Sequence, residues 1–112
     1  MLAVRSNEFT MSKAISLRAT VVATKDQVSA NLADEGVILH LKDGVYYGLD
    51  PVGARIWGLI QQPKLVSEVR DAIVQEYEVE SARCEQDLLR LLREMADRGL
   101  VVVTEAHSEQ AT

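Results

Sequence analysis

Residues 46–57 of this chain, Tyr-Tyr-Gly-Leu-Asp-Pro-Val-Gly-Ala-Arg-Ile-Trp, let a β-strand run straight into a helix. Tyr46, Tyr47 and Leu49 are of the aromatic and apolar types that suit a pleated, half-buried surface. Asp50 has the side chain of a good N-cap, a carboxylate able to accept from the orphan amides of the first helical turn. Pro51 falls at the first helical position, where its missing N–H removes no bond and its fixed φ already suits the helix. A strand and a helix joined this way leave no linker between them, so α and β segments belong to one folding unit.

Size and composition keep that unit small. With 112 residues and a mass of 12.4 kDa the chain makes one domain with a single modest core. Its hydrophobic fraction is 47% but its aromatic fraction only 4%, so aliphatic side chains fill the core. No apolar run approaches the ~20 residues of a membrane helix. Arg5, Asn7, Glu8, Ser12, Lys13 and Arg18 stand where a signal peptide would need a continuous apolar centre. The expected location is the cytoplasm. Met11 is an alternative start. Residues 1–20 repeat no apolar period and are expected to form a poorly ordered extension. Residues 105–112 are read as a disordered polar tail, which leaves 21–104 as the domain.

The chemistry available is sparse. One cysteine, Cys84, excludes an internal disulfide, and with only His40 and His107 beside it a structural zinc site is not expected. The chain carries no GxSxG, no HExxH and no phosphate-binding glycine loop, so neither catalytic residues nor a cofactor are expected. Cys84 would need a basic partner to act as a nucleophile. One turn before Leu88, it reads as a buried structural thiol. Twelve Lys and Arg stand against 17 Asp and Glu, a net charge of −5 that repels phosphate backbones.

Periodicity orders the rest. Residues 21–25 begin the folded part. Residues 27–34 alternate, with Val28, Ala30 and Leu32 on one side, and Glu35-Gly36 reads as a turn. Val37, Leu39 and Leu41 then alternate with Ile38 and His40. Asp43-Gly44 marks a hairpin. A three-residue loop, Lys42-Asp43-Gly44 with Gly44 left-handed, pairs Leu41 with Val45, Leu39 with Tyr47 and Val37 with Leu49, placing all six on one face. Ile38, His40, Tyr46 and Gly48 are left on the other, where His40 is expected to be solvated. Three helices follow: residues 51–61, ended by Pro63; residues 66–77, with Val66, Val69, Ile73 and Tyr77 at helical spacing; and a third from the N-cap Ser81, carrying Cys84, Leu88, Leu91, Leu92 and Met95. Gly99 supplies a left-handed C-terminal position, and Leu100 can fold back on Met95. Residues 100–104 are a β-branched run suited to a last strand.

This is an α+β chain, a three-stranded antiparallel sheet followed by three helices, with residues 45–49 as an exposed edge. Such an edge is either protected or used to bind another chain. Tyr46 reads either as cover for the sheet or as an amphipathic lining of a peptide site. Gly48 reads either as a bulge or as a place of close backbone approach. On the third helix Arg83, Arg90, Arg93 and Arg98 are balanced by Glu85, Asp87, Glu94 and Asp97, whereas a DNA-reading helix is clearly basic. Arg93 and Arg98 are read as solubilising surface charge.

The stretch 46–57, with a weaker match over 84–101 (Asp87-Leu88 through Gly99-Leu100-Val101), resembles the PqqD-like proteins, small peptide-binding domains also called RiPP recognition elements. Gly53 and the Ile56-Trp57 pair look more like the discrete recognition proteins of lasso-peptide clusters than like PqqD itself. The resemblance covers about residues 26–103 and implies a winged helix-turn-helix-like fold. It implies binding of a precursor leader peptide as an added strand along Val45, Tyr46, Tyr47, Gly48 and Leu49. Leader side chains would enter a cleft against Cys84, Asp87, Leu88 and Leu91 of the third helix. The partners implied are that leader peptide and a separate maturation protease or modifying enzyme, with no nucleic acid and no membrane. A PqqD-type chaperone for a radical enzyme in PQQ biosynthesis is the nearest alternative. From other classes, a winged-helix DNA-binding regulator is disfavoured by the charge, and a small enzyme ranks third.

Overall fold

A computed structural model describes residues 15–32 and 35–105 of the chain. The elements in chain order are β1 (Thr20–Ala23), β2 (Gln27–Leu32), β3 (Glu35–His40), β4 (Val45–Leu49), α1 (Pro51–Leu59), β5 (Lys64–Leu65), α2 (Val66–Tyr77), α3 (Ser81–Asp97) and β6 (Val101–Thr104). They build a mixed α+β fold of two antiparallel sheets, ordered β2-β3-β4 and β5-β1-β6, with three helices. The expected sheet and helices are present. The second sheet adds to them: β1 lies at its centre, between the two-residue β5 and the C-terminal β6.

Local signals place the helices. Asp50 caps α1, its Oδ1 accepting from the Gly53 N–H at 2.7 Å, with Pro51 first in the helix. α1 ends at Leu59, earlier than the expected residue 61, although the Ile60 N–H still donates to the Ile56 carbonyl at 3.1 Å. α2 covers the expected residues, burying Val66, Val69 and Ile73 and leaving Tyr77 at the surface. The cap of α3 falls one position earlier than expected. Ser81 is already helical and the Cys84 N–H donates to the Glu80 carbonyl, so Glu80 takes the cap position and makes no side-chain cap bond. At the other end Gly99 has φ +75° and the Leu100 N–H returns to the Met95 carbonyl at 2.8 Å, as expected. Val21, Ile38, Ile60, Val66, Val69 and Leu92 are the largest fully buried side chains. Each contributes roughly 1.5–3 kcal/mol through burial.

The β3–β4 hairpin differs from expectation. Four residues, 41–44, close it instead of three, and the pairs are His40 with Val45, Ile38 with Tyr47 and Gly36 with Leu49. Gly44 is left-handed as expected, with φ +69°. One extra loop residue inverts β3, so Ile38 and His40 face the core while Val37 and Leu39 face outward. β4 keeps its expected faces. His40 is therefore not solvated: it is 6% exposed, its Nδ1 lies 3.1 Å from the Asp43 carboxylate, and its ring packs beside Gly99. Asp43 also accepts from the Val45 N–H at 3.0 Å, fixing the loop. His40, the largest cause, and the Val45 amide hold the Asp43 carboxyl below the usual range. The outer face now carries Val28, Leu39 and Tyr46 as cross-strand neighbours, with Val28 59% and Tyr46 69% exposed.

The folded part also begins before residue 21. Ile15 and Ala19 are buried, and the Leu17 and Ala19 carbonyls accept from Ser67 and Val66 at the start of α2. Ser16 donates to Glu105 from its amide and its hydroxyl, at 3.2 and 2.8 Å. The expected boundaries at 20 and 104 are thus moved outward by these contacts. Glu35 and Gly36, expected as a turn, belong to β3 and pair with Leu32 and Asn31. Met11 and His107 lie outside the described residues, as do 1–14 and 106–112.

Candidate functional site

β4 is an edge of its sheet, so one side of its backbone has no strand partner among the described residues. Beyond the end of β4, between the start of α1 and the length of α3, lies an open groove of about 870 Å³. Six of the residues expected at the site line it: Gly48, Leu49, Cys84, Asp87, Leu88 and Leu91. The helical spacing of the last four brings them to one side of α3. Val45, Tyr46 and Tyr47 are not among the lining residues. Tyr46 belongs to the outer face of the sheet, Val45 stands at the hairpin end, and the ring of Tyr47 is covered by the Arg98 guanidinium at 5.5 Å. Arg98 is therefore more than a solubilising charge.

Ile56, Ile73, Tyr77 and Val79 extend the groove, and sequence reasoning did not assign them to a site. Ile56 and Ile73 are legible as core positions, but that they also floor a groove depends on how α1, α2 and α3 meet. Tyr77 gave a signal: as the last residue of its helical stripe it has less helix around it to cover the ring. Val79, in the α2–α3 connection, gave none.

The electrostatics are acidic. Asp50, Glu80, Asp87 and Glu94 line the groove against Arg83 and Arg90. Both arginines are committed to Asp87, Arg90 at 2.8 Å and Arg83 at 3.9 Å. Elsewhere Arg70 pairs with Asp71 and Glu85, and Arg55 with Glu76. Burial, reinforced by Asp87, pushes the Cys84 thiol up, so it stays protonated at neutral pH and is a poor nucleophile. Among the described residues no three His, Cys, Asp or Glu side chains gather as a metal site would require. No helix among them is long and apolar enough to cross a membrane.

An open strand edge beside a largely apolar groove can take an extended chain, by pairing along the edge and burying side chains in the groove. The family model described as Coenzyme PQQ synthesis protein D (PqqD) matches residues 35–101, from the first residue of β3 to the start of β6. The chain belongs to the PqqD family. Its fold is similar to TbiB1, solved in complex with the TbiA(beta) leader peptide: 44% identity, TM-score 0.68, covering 71% of this chain and 93% of that one. It is also similar to the PqqD truncation of Methylobacterium extorquens PqqCD, described as a functional stand-alone RiPP recognition element. There the identity is 19% and the TM-score 0.67, over 80% of this chain and 95% of that one. The tRNA-dependent lantibiotic dehydratase MibB from Microbispora sp. 107891 carries the same fold within a larger chain. Its TM-score is 0.52 at 22% identity, covering 78% of this chain and 8% of that one. A comparison with curated proteins found no match.

Proposed function

We propose that this PqqD-family chain binds the leader segment of a ribosomally made precursor peptide and presents it, in the cytoplasm, to a separate maturation enzyme of the lasso-peptide type. The observation that carries this is the continuity of an open β4 edge with an apolar groove. The leader adds as a strand along Val45–Leu49, its backbone satisfying the edge amides and carbonyls. Its side chains pack against Leu49, Cys84, Leu88 and Leu91, and Asp87 stands at the rim. The chain itself contributes no catalytic residue: the Cys84 thiol is held protonated, and the groove arginines are engaged by Asp87. The likeness to TbiB1, which was solved with a leader peptide, supports this reading over delivery to a radical enzyme, for which the likeness is to PqqD at 19% identity.

Calorimetry with the TbiA(beta) leader peptide tests the proposal. A gel shift with mixed duplex DNA at ~50 mM salt tests the rival. Saturable peptide binding without a DNA shift is expected. Salt-dependent DNA binding without peptide binding would overturn the reading.

A further inference from the structure

Main-chain pairing with a five-residue edge does not by itself set register. A peptide slipped by two residues along β4 keeps the same faces and the same ladder, so a side-chain device has to choose between the alternatives. Tyr47, on β4 just outside the lining of the groove, carries one. Leu88 and Cys84 share the groove with Leu49 and Asp50, while Arg98, just past the end of α3, lies over Tyr47. Its position is fixed from below: the Arg98 N–H donates to the Glu94 carbonyl, and left-handed Gly99 sits against the buried His40 ring. The end of a helix is also where a cation is favoured.

Arg98 differs from the arginines around it. Arg55, Arg70, Arg83 and Arg90 are all engaged by carboxylates, whereas among the described residues Arg93 and Arg98 make no ion pair, and of these two Arg98 is the one held against β4, over Tyr47. Glu94, one turn earlier, lines the groove without pairing with it. The contact Arg98 does make is with the Tyr47 ring at 5.5 Å, and among the described residues its side-chain N–H donors have no hydrogen-bond partner. Those donors match a carboxylate in bidentate fashion.

We propose that Arg98, held over Tyr47, takes a carboxylate side chain of the bound peptide and thereby sets the register of the leader on β4. This rests on the leader-binding reading. The groove enforces the choice by repulsion. Asp50, Glu80, Asp87 and Glu94 outnumber Arg83 and Arg90 there, so an acidic side chain is disfavoured in the groove and is better placed outside it, at Arg98.

The test uses the full chain and a synthetic set of TbiA(beta) leader peptides in which successive positions carry Asp, Ala or Lys, with affinity read by fluorescence polarisation. At one position wild type should favour Asp over Lys by about tenfold, the scale of a charge-assisted contact at a partly exposed site. Arg98→Gln should bring that ratio close to one and Arg98→Glu should invert it. Arg98→Lys, which keeps the charge but loses the fork, should give an intermediate ratio and serves if either of the others fails to fold by circular dichroism. Charge preferences that stay the same at every position in the folded variants would overturn the role of Arg98 alone. Failure of wild type to bind any peptide of the set would overturn leader binding, and the subsite with it.

Discussion

Asp50 and Gly53 act as a pair. The carboxylate comes within 2.7 Å of the Gly53 amide, and a Cβ at position 53 would sit 3.1 Å from the same oxygen, so the small residue keeps the cap close. Asp50→Ala should lower stability by roughly 0.5–2 kcal/mol, measured by urea unfolding. Trp57 is 5% exposed in the core, and Trp57→Ala should cost more, about 3–5 kcal/mol. An unchanged melting temperature in Trp57→Ala would show that the indole does not support the core. Asp43 carries a pH dependence. Its folded pKa lies below the ordinary 3.8, so the stability it contributes is fully present above that value and is lost as pH falls through its folded pKa. Asp43→Asn should therefore lose stability less steeply on acidification below about pH 5 than wild type does, in thermal melts across that range.

At the scale of elements, β4 and α3 are the pair that matters. In an antiparallel ladder the backbone groups of successive residues point alternately to either side, so only alternate amides of β4 are turned to its open edge. Leader peptide should slow hydrogen exchange at alternate residues within 45–49 and over residues 84–91 of α3, while α2 stays unchanged beyond Tyr77. Protection confined to the body of α2 would place the peptide elsewhere. The α3 side of the groove was expected from the family resemblance, and helical spacing is consistent with it, since Cys84, Leu88 and Leu91 fall on one side of the helix. The β3 side of the hairpin was not. Val37, Leu39 and Leu41 alternate as plausibly as Ile38 and His40, and the rule that apolar residues face inward selects the wrong set here. The true register buries an imidazole, made tolerable by the Asp43 carboxylate at 3.1 Å.

The whole molecule depends on a strand outside the family match. β1 stands at the centre of the second sheet, pairing with both β5 and β6, and the Ala23 and Thr24 amides donate to the Ile60 and Leu100 carbonyls at 2.8 Å. The family match starts at residue 35, which could suggest that everything earlier is dispensable. A chain beginning at Thr24 would lose the buried Ile15, Ala19, Val21 and Ala23. At roughly 1.5–3 kcal/mol for each larger aliphatic side chain, together with the sheet bonds, that loss is comparable to a domain's total of about 5–15 kcal/mol. Such a chain should show no cooperative thermal transition by circular dichroism, whereas one beginning at Ile15 should melt cooperatively.

What the amino-acid order determined alone lies within a few residues of its cause. The Asp50-Pro51 start of α1, the span of α2, the buried stripe of α3 and the left-handed turns at Gly44 and Gly99 follow from caps, periodicity and steric freedom, all of which act within about one helical turn. Tertiary structure decided what depends on residues far apart. His40 faces inward in the register that β3 takes against β4, and its ring comes to lie beside Gly99, far along the chain. The groove has its floor because Ile56 of α1 converges with Ile73 and Tyr77 of α2. Arg98 lies over Tyr47 because the end of α3 comes back to the edge strand. None of these contacts leaves a periodic trace in the chain, since each is made by the packing of whole elements and not by the conformation of one.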